Sequence, residues 1–365
     1  MTESALIKKE RESGIELLKL LAITLIVIFH MTQTLCGNYS ELPGAEGAFI
    51  DLKSPVSDPS GIFLMLFRNF GALGNHLFFV CSAWFLVSSK EGSRRKILQV
   101  VGDNWTLSVL FLILFLLAGQ RISLNLMVKC LFPTTFGMNW YVTCYVLFYL
   151  MHPYINRMMD AMNQRELRDL SAALVFIYGV VPMVYPGLFF PSQLLTFLMI
   201  YMAVGYVKKY MQEFADNLRA NVILFLFSAM MLVGVVVFFN VLGTKGIYVV
   251  EDIFRFLGWG DCVFNLTLAL ALLNIFRKLH FVSIVINRLS SLTLLIYLIH
   301  ENVLFRWNIR PQIWIWLHNT FGYDYLVLLV LGLAIVVLIA SVILACVYRC
   351  TIGKLVQSAV QKIFQ

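Results

Sequence analysis

The sequence predicts an all-α integral membrane protein, a bundle of about ten transmembrane helices with both termini cytoplasmic. Three observations predict it. The composition is too apolar for a water-soluble domain: 60% of residues are hydrophobic, 13% are charged and mean hydropathy is +0.82, whereas soluble domains carry about 25% charged residues. Apolar runs near the roughly 20 residues that cross a bilayer recur along the chain. Lysines and arginines collect in every second connection between those runs, the pattern of short cytoplasmic loops.

The spans expected in order are Gly14 to Cys36, Gly71 to Ser89, Asn104 to Ala118, Trp140 to Met159, Leu170 to Tyr185, Ser192 to Tyr210, Asn221 to Leu242, Cys262 to Phe276, Leu289 to Phe305 and Tyr325 to Tyr348. Pro133, Pro153, Pro186 and Pro191 fall at span ends, where a missing amide donor does no harm. About twenty of the 28 lysines and arginines lie on the side of the N-terminus, from Lys8, Lys9 and Arg11 to Arg349, Lys354 and Lys362. The opposite side holds Lys53, Arg68, Arg121, Lys129, Lys245, Arg255, Arg306 and Arg310. The division is a cytoplasmic segment 1–13, a transmembrane domain 14–350 and a cytoplasmic tail 351–365.

The net charge of +8 therefore reports topology. No basic block interleaved with aromatics is present, so the partner is the lipid bilayer and not nucleic acid. Seven cysteines form no CxxC pair, and neither a disulfide framework nor a metal site is indicated. The long connection Gly37 to Phe70, acidic at Glu41, Glu46, Asp51 and Asp58, and the polar stretch near Lys245 to Asp261 are the sizeable non-membrane regions. Both are too short for a separate enzymatic domain. Any chemistry must sit in the bundle.

Ionisable residues inside spans cost about 2.5–3.5 kcal/mol each and usually mark function. The first span carries Glu16, Lys19 and His30. Glu16 and Lys19 are three apart and can pair, while Lys19 and His30 share a helix face about 16 Å apart. Lys19 could instead snorkel to the interface, and His30 could merely bond a neighbouring helix. Arg94, Arg95 and Lys96 either anchor the chain in the cytoplasm or clamp phosphates. The ninth span places Tyr297, His300 and Glu301 on one side, and two intramembrane histidines suggest a shared polar cavity.

These stretches together resemble the acyltransferase-3 family of membrane O-acyltransferases. The landmarks are Glu16 and Lys19 followed by His30, Phe78 and Phe79 with Ser82 and Ala83, the basic cluster Arg94 to Lys96, then Trp140, Tyr149 and Pro153, and finally Ser290, Tyr297 and His300. Lys19 and Ala83 stand where the family has arginine and glycine. The resemblance implies transfer of an acyl group, commonly acetyl from acetyl-CoA as co-substrate, to a hydroxyl of an extracytoplasmic carbohydrate. It implies His30 as general base, with Ser82, Tyr297 or His300 as donors to the developing oxyanion. Glu16, Lys19, Arg94, Arg95 and Lys96 would meet acyl-CoA at the cytoplasmic face of a bacterial cell membrane. Direct transfer and a covalent acyl-histidine relay both fit. The competing reading is a transporter or exporter of a polysaccharide intermediate or other small solute, although no inverted repeat of the usual transporter kind is visible.

Overall fold

The computed structural model describes residues 12–51, 59–184, 192–246 and 262–364. Lys8, Lys9, Arg11, Lys53, Asp58, Pro186, Pro191 and Arg255 lie outside them. Among the described residues all regular structure is helical.

Helix α1 (Gly14–Leu35) is the hub, packed against α2 (Pro59–Leu86), α10 (Val263–Arg277), α11 (Ile284–Ser290), α12 (Thr293–His300), α13 (Arg310–Phe321) and α14 (Leu326–Cys350). Around it stand α3 (Arg94–Leu117), α4 (Leu124–Leu131), α5 (Trp140–Ala161), α6 (Gln164–Val175), α7 (Gln193–Tyr210), the short α8 (Gln212–Asp216) and α9 (Leu218–Thr244). Among the described residues, six segments are long and apolar enough to cross a membrane: α1, α2, α3, α9, α14, and α6 continued through a π-helical stretch to Val184. Four of the expected spans therefore fall short of that measure. These are α5, α7, the shorter apolar α10, and the ninth span.

In lipid, helices associate through close van der Waals packing and polar pairs rather than hydrophobic burial. Both devices hold α1 and α2 together with their neighbours. A Cβ on Gly74 would come within 2.6 Å of the Ile26 side chain and 2.9 Å of the Ala22 carbonyl oxygen, so glycine lets α2 lie against the α1 backbone. Asn69 of α2 and Asn265 of α10 exchange two amide hydrogen bonds, at 3.1 and 3.2 Å. Asn274 of α10 donates to Asn221 of α9 at 2.9 Å. Trp314 of α13 donates its indole N–H to the Met31 carbonyl of α1 at 3.1 Å.

Several elements differ from the expected spans. Helix α2 begins twelve residues earlier, so Arg68 is helical rather than a loop charge. Helix α3 starts at Arg94, with Ser93 as N-cap accepting the Lys96 amide; the basic cluster is its first turn. Pro153 lies inside α5, not at its end. A proline there leaves the carbonyl four residues back without its amide donor, and the His152 ring takes that role, with Nδ1 2.6 Å from the Tyr149 oxygen. The tail is a further helix, α15 (Ile352–Ile363), packed on α3.

The ninth span is broken. Helix α12 stops at His300, Asn302 accepts the Leu304 amide at 3.0 Å, and a π-helical turn at Phe305–Ile309 leads into α13. Irregular backbone at membrane depth is tolerated where protein groups satisfy it. Arg310, fully buried, supplies the donors: its guanidinium bonds the carbonyls of His300 at 2.5 Å and His30 at 3.3 Å. Arg306 and Arg310 are thus not loop charges. Arg310 belongs to the core.

Candidate active site

Glu301 is the centre of a buried polar cluster built where α12 breaks. Its carboxylate takes Arg306 at 2.7 Å on one oxygen and Arg310 at 2.9 Å on the other. His30 of α1 approaches the same group, Nδ1 lying 3.3 Å from Oε2 and 2.9 Å from Nε2 of His300. The other nitrogen of His300, Nδ1, lies 2.7 Å from the Ile296 carbonyl oxygen. Carbonyls only accept, so His300 Nδ1 carries the proton and its Nε2 offers a lone pair. His30 must then donate through Nδ1. Its Nε2, with no protein partner among the described residues, is left as a base.

His30, His300 and Glu301 bring ligand-type atoms within 4.8 Å of one another. Both carboxylate oxygens are already taken by guanidinium groups, and two such cations beside a would-be ligand oppose a metal ion. The donor set suits proton handling.

Three cavities lie end to end along α1. A vestibule of about 700 Å³ at its N-terminal end is walled by Glu16, Lys19, Ser82, Trp84, Lys96 and Arg277. A neck of about 240 Å³ shares Lys19, Ser82, Lys96 and Tyr145 with the vestibule and adds Tyr141 and Ser290. The neck shares Ile26, Asn75 and Tyr297 with a third cavity of about 370 Å³, the histidine chamber, which His30, Glu301 and Arg306 line.

Of the residues singled out in the sequence, Glu16, Lys19, His30, Ser82, Lys96 and Tyr297 line this row, whereas Arg94, Arg95 and His300 do not. His30, His300 and Tyr297 come together: the His30 and His300 rings are 5.1 Å apart and the Tyr297 ring is 6.4 and 6.0 Å from them. Glu16 is buried and paired with Lys19 at 3.0 Å, and it also accepts the Ser290 hydroxyl. Ser82 lines the vestibule and neck rather than the histidine chamber. Of the basic cluster, Lys96 reaches the vestibule and neck, Arg95 lines a separate cleft with Asp103 and Arg349, and Arg94 is exposed.

Sequence reasoning missed Arg306, Arg310 and Arg277. The signal for the first two was their spacing of four immediately after His300-Glu301-Asn302, within a stretch too short to leave the membrane and return. Arg277 stacks over the Trp84 ring at 3.8 Å, with Lys208 at 4.8 Å, a cation–aromatic arrangement visible only in three dimensions.

A family model described as an acyltransferase domain matches residues 12–346. The chain belongs to the acyltransferase-3 family. Comparisons with curated proteins and with solved structures gave no match. With its long apolar helices, the family makes this a multi-pass membrane acyltransferase, and the His30 cluster and the three cavities lie within the matched region.

Proposed function

We propose that this acyltransferase moves an acyl group, by preference acetyl, from acetyl-CoA to a hydroxyl of an extracytoplasmic carbohydrate, with His30 as general base. The row of cavities from Lys19 to His30 carries the reading. It offers a cationic mouth, a narrow neck and a polar end chamber, which match the phosphates, the pantetheine arm and the acceptor of such a reaction. Lys19, Lys96 and Arg277 supply the positive charge for the phosphates. Both termini are cytoplasmic in this reading, so the vestibule opens to the cytoplasm of a bacterial cell.

At the far end His30 Nε2 takes the proton of the acceptor hydroxyl as its oxygen attacks the thioester carbonyl. The proton held on Nδ1 stays hydrogen-bonded to His300 and Glu301, whose carboxylate stabilises the imidazolium formed. Tyr297, on the chamber wall, is a donor for the developing oxyanion. The carbon–sulfur bond breaks, and the thiolate of coenzyme A recovers the proton from His30. Ser82, in the neck, contacts the donor arm instead of the reacting carbon.

The test is to give radiolabelled acetyl-CoA to inside-out vesicles holding the protein and their own membrane carbohydrate. Label on the carbohydrate with matching release of coenzyme A is expected. A carrier would move sugar without labelling it.

A further inference from the structure

The histidine chamber has a second imidazole on its wall besides His30. His76 of α2 lines this chamber and is 2% exposed. Its Nδ1 lies 2.9 Å from the Ala72 carbonyl oxygen, one turn back on the same helix. That contact places the ring proton on Nδ1 and leaves Nε2 of the neutral ring as an acceptor. Nε2 is buried and has no hydrogen-bond partner among the described residues. Buried polar atoms are nearly always paired, and the need is greater inside a membrane bundle. A bare acceptor on the wall of a ligand-sized cavity fits a donor carried by whatever fills it.

The rest of the wall says what kind of donor. Gln33, Asn75 and Gln193 offer amides, Thr196 a hydroxyl and Trp140 an aromatic ring. Amides both give and accept hydrogen bonds, and an indole face packs on C–H surface. A pyranose ring has that combination, with hydroxyls around its edge and apolar C–H faces. At about 370 Å³ the chamber is near the small end of ligand pockets, which run about 300–1,000 Å³. It suits a unit or two of sugar rather than a long stretch of polymer.

We propose that His76 Nε2 accepts a hydrogen bond from one hydroxyl of the acceptor sugar and thereby fixes which neighbouring hydroxyl meets His30. This rests on the carbohydrate reading above. His76 acts as a positioning residue: the proton of the attacking hydroxyl goes to His30, and the bond that His76 accepts keeps its proton on the sugar.

The test compares wild type with His76→Leu and His76→Gln in membranes, using radiolabelled acetyl-CoA and the carbohydrate fraction of the same membranes as acceptor, with the acetylated position mapped by NMR. His76→Leu should raise the half-saturating acceptor concentration about tenfold, the worth of one hydrogen bond, and spread acetate over more than one hydroxyl, while the KM for acetyl-CoA holds. His76→Gln, whose side-chain carbonyl still accepts, should recover most of the affinity. Wild-type acceptor affinity and acetylation position in His76→Leu would overturn the inference, as would equal loss of donor and acceptor affinity in both variants. A wild-type protein that releases coenzyme A without labelling carbohydrate would overturn the carbohydrate reading itself, and this inference with it.

Discussion

The Nδ1 atom of His30 lies 2.9 Å from the Nε2 atom of His300, and together with the Glu301 carboxylate 3.3 Å from the same atom this contact decides which nitrogen of His30 is left to act. His300 cannot donate through Nε2, because its own proton is held by the Ile296 carbonyl at 2.7 Å. The pair joins α1 to the break after α12. Fold and tautomer are set by the same contacts.

Replacing His300 by Leu removes the nearer of the two acceptors that hold the His30 proton on Nδ1, leaving the Glu301 carboxylate at 3.3 Å. Transfer should fall by about two orders of magnitude, the low end of what a positioned acid or base contributes. His300→Gln, which can still accept at its side-chain oxygen, should lose less. Single-turnover rates of acyl transfer check this, and equal rates in the two variants would contradict it.

Arg310 holds four groups at once: the Glu301 carboxylate, the carbonyls of His30 and His300, and the Thr34 hydroxyl. Arg310→Met leaves the Glu301 carboxylate with Arg306 and His30 and should lower unfolding stability in detergent by about 3 kcal/mol, the low end for breaking a buried pair. Adding Glu301→Gln removes the carboxylate that has lost a partner. The double variant should cost less than the sum of the two single ones, as denaturant titration would read.

Much of the fold was legible because the first span is one long apolar run interrupted at Glu16, Lys19 and His30, where each interruption demands a partner. The expectation that the two intramembrane histidines share a polar region followed from the same logic, and their rings lie 5.1 Å apart. The α11 to α13 region was not legible. Counting Arg306 and Arg310 as loop charges assumes that arginine leaves the membrane, and here Glu301 pairs with both and freed backbone carbonyls accept from Arg310 inside the protein. Pro153 misled for a related reason, since the adjacent His152 replaces the amide that proline lacks. A linear sequence shows the cost of such residues but not the group that offsets it.

The basic cluster divides by geometry. Lys96 borders the vestibule and neck, whereas Arg94 projects from the first turn of α3 to the exterior. Lys96→Met should raise the KM for acetyl-CoA about tenfold, consistent with loss of one charge-assisted hydrogen bond. The effect should exceed that of Arg94→Met. Initial rates over a range of acetyl-CoA decide it.

The most direct measurement is the acetylation of membrane carbohydrate by His30→Ala, with radiolabelled acetyl-CoA, alongside a thermal unfolding curve of the same protein. Loss of transfer by at least about a hundredfold, with a cooperative unfolding transition retained, is expected of the general base. Wild-type labelling of carbohydrate by His30→Ala would contradict that role.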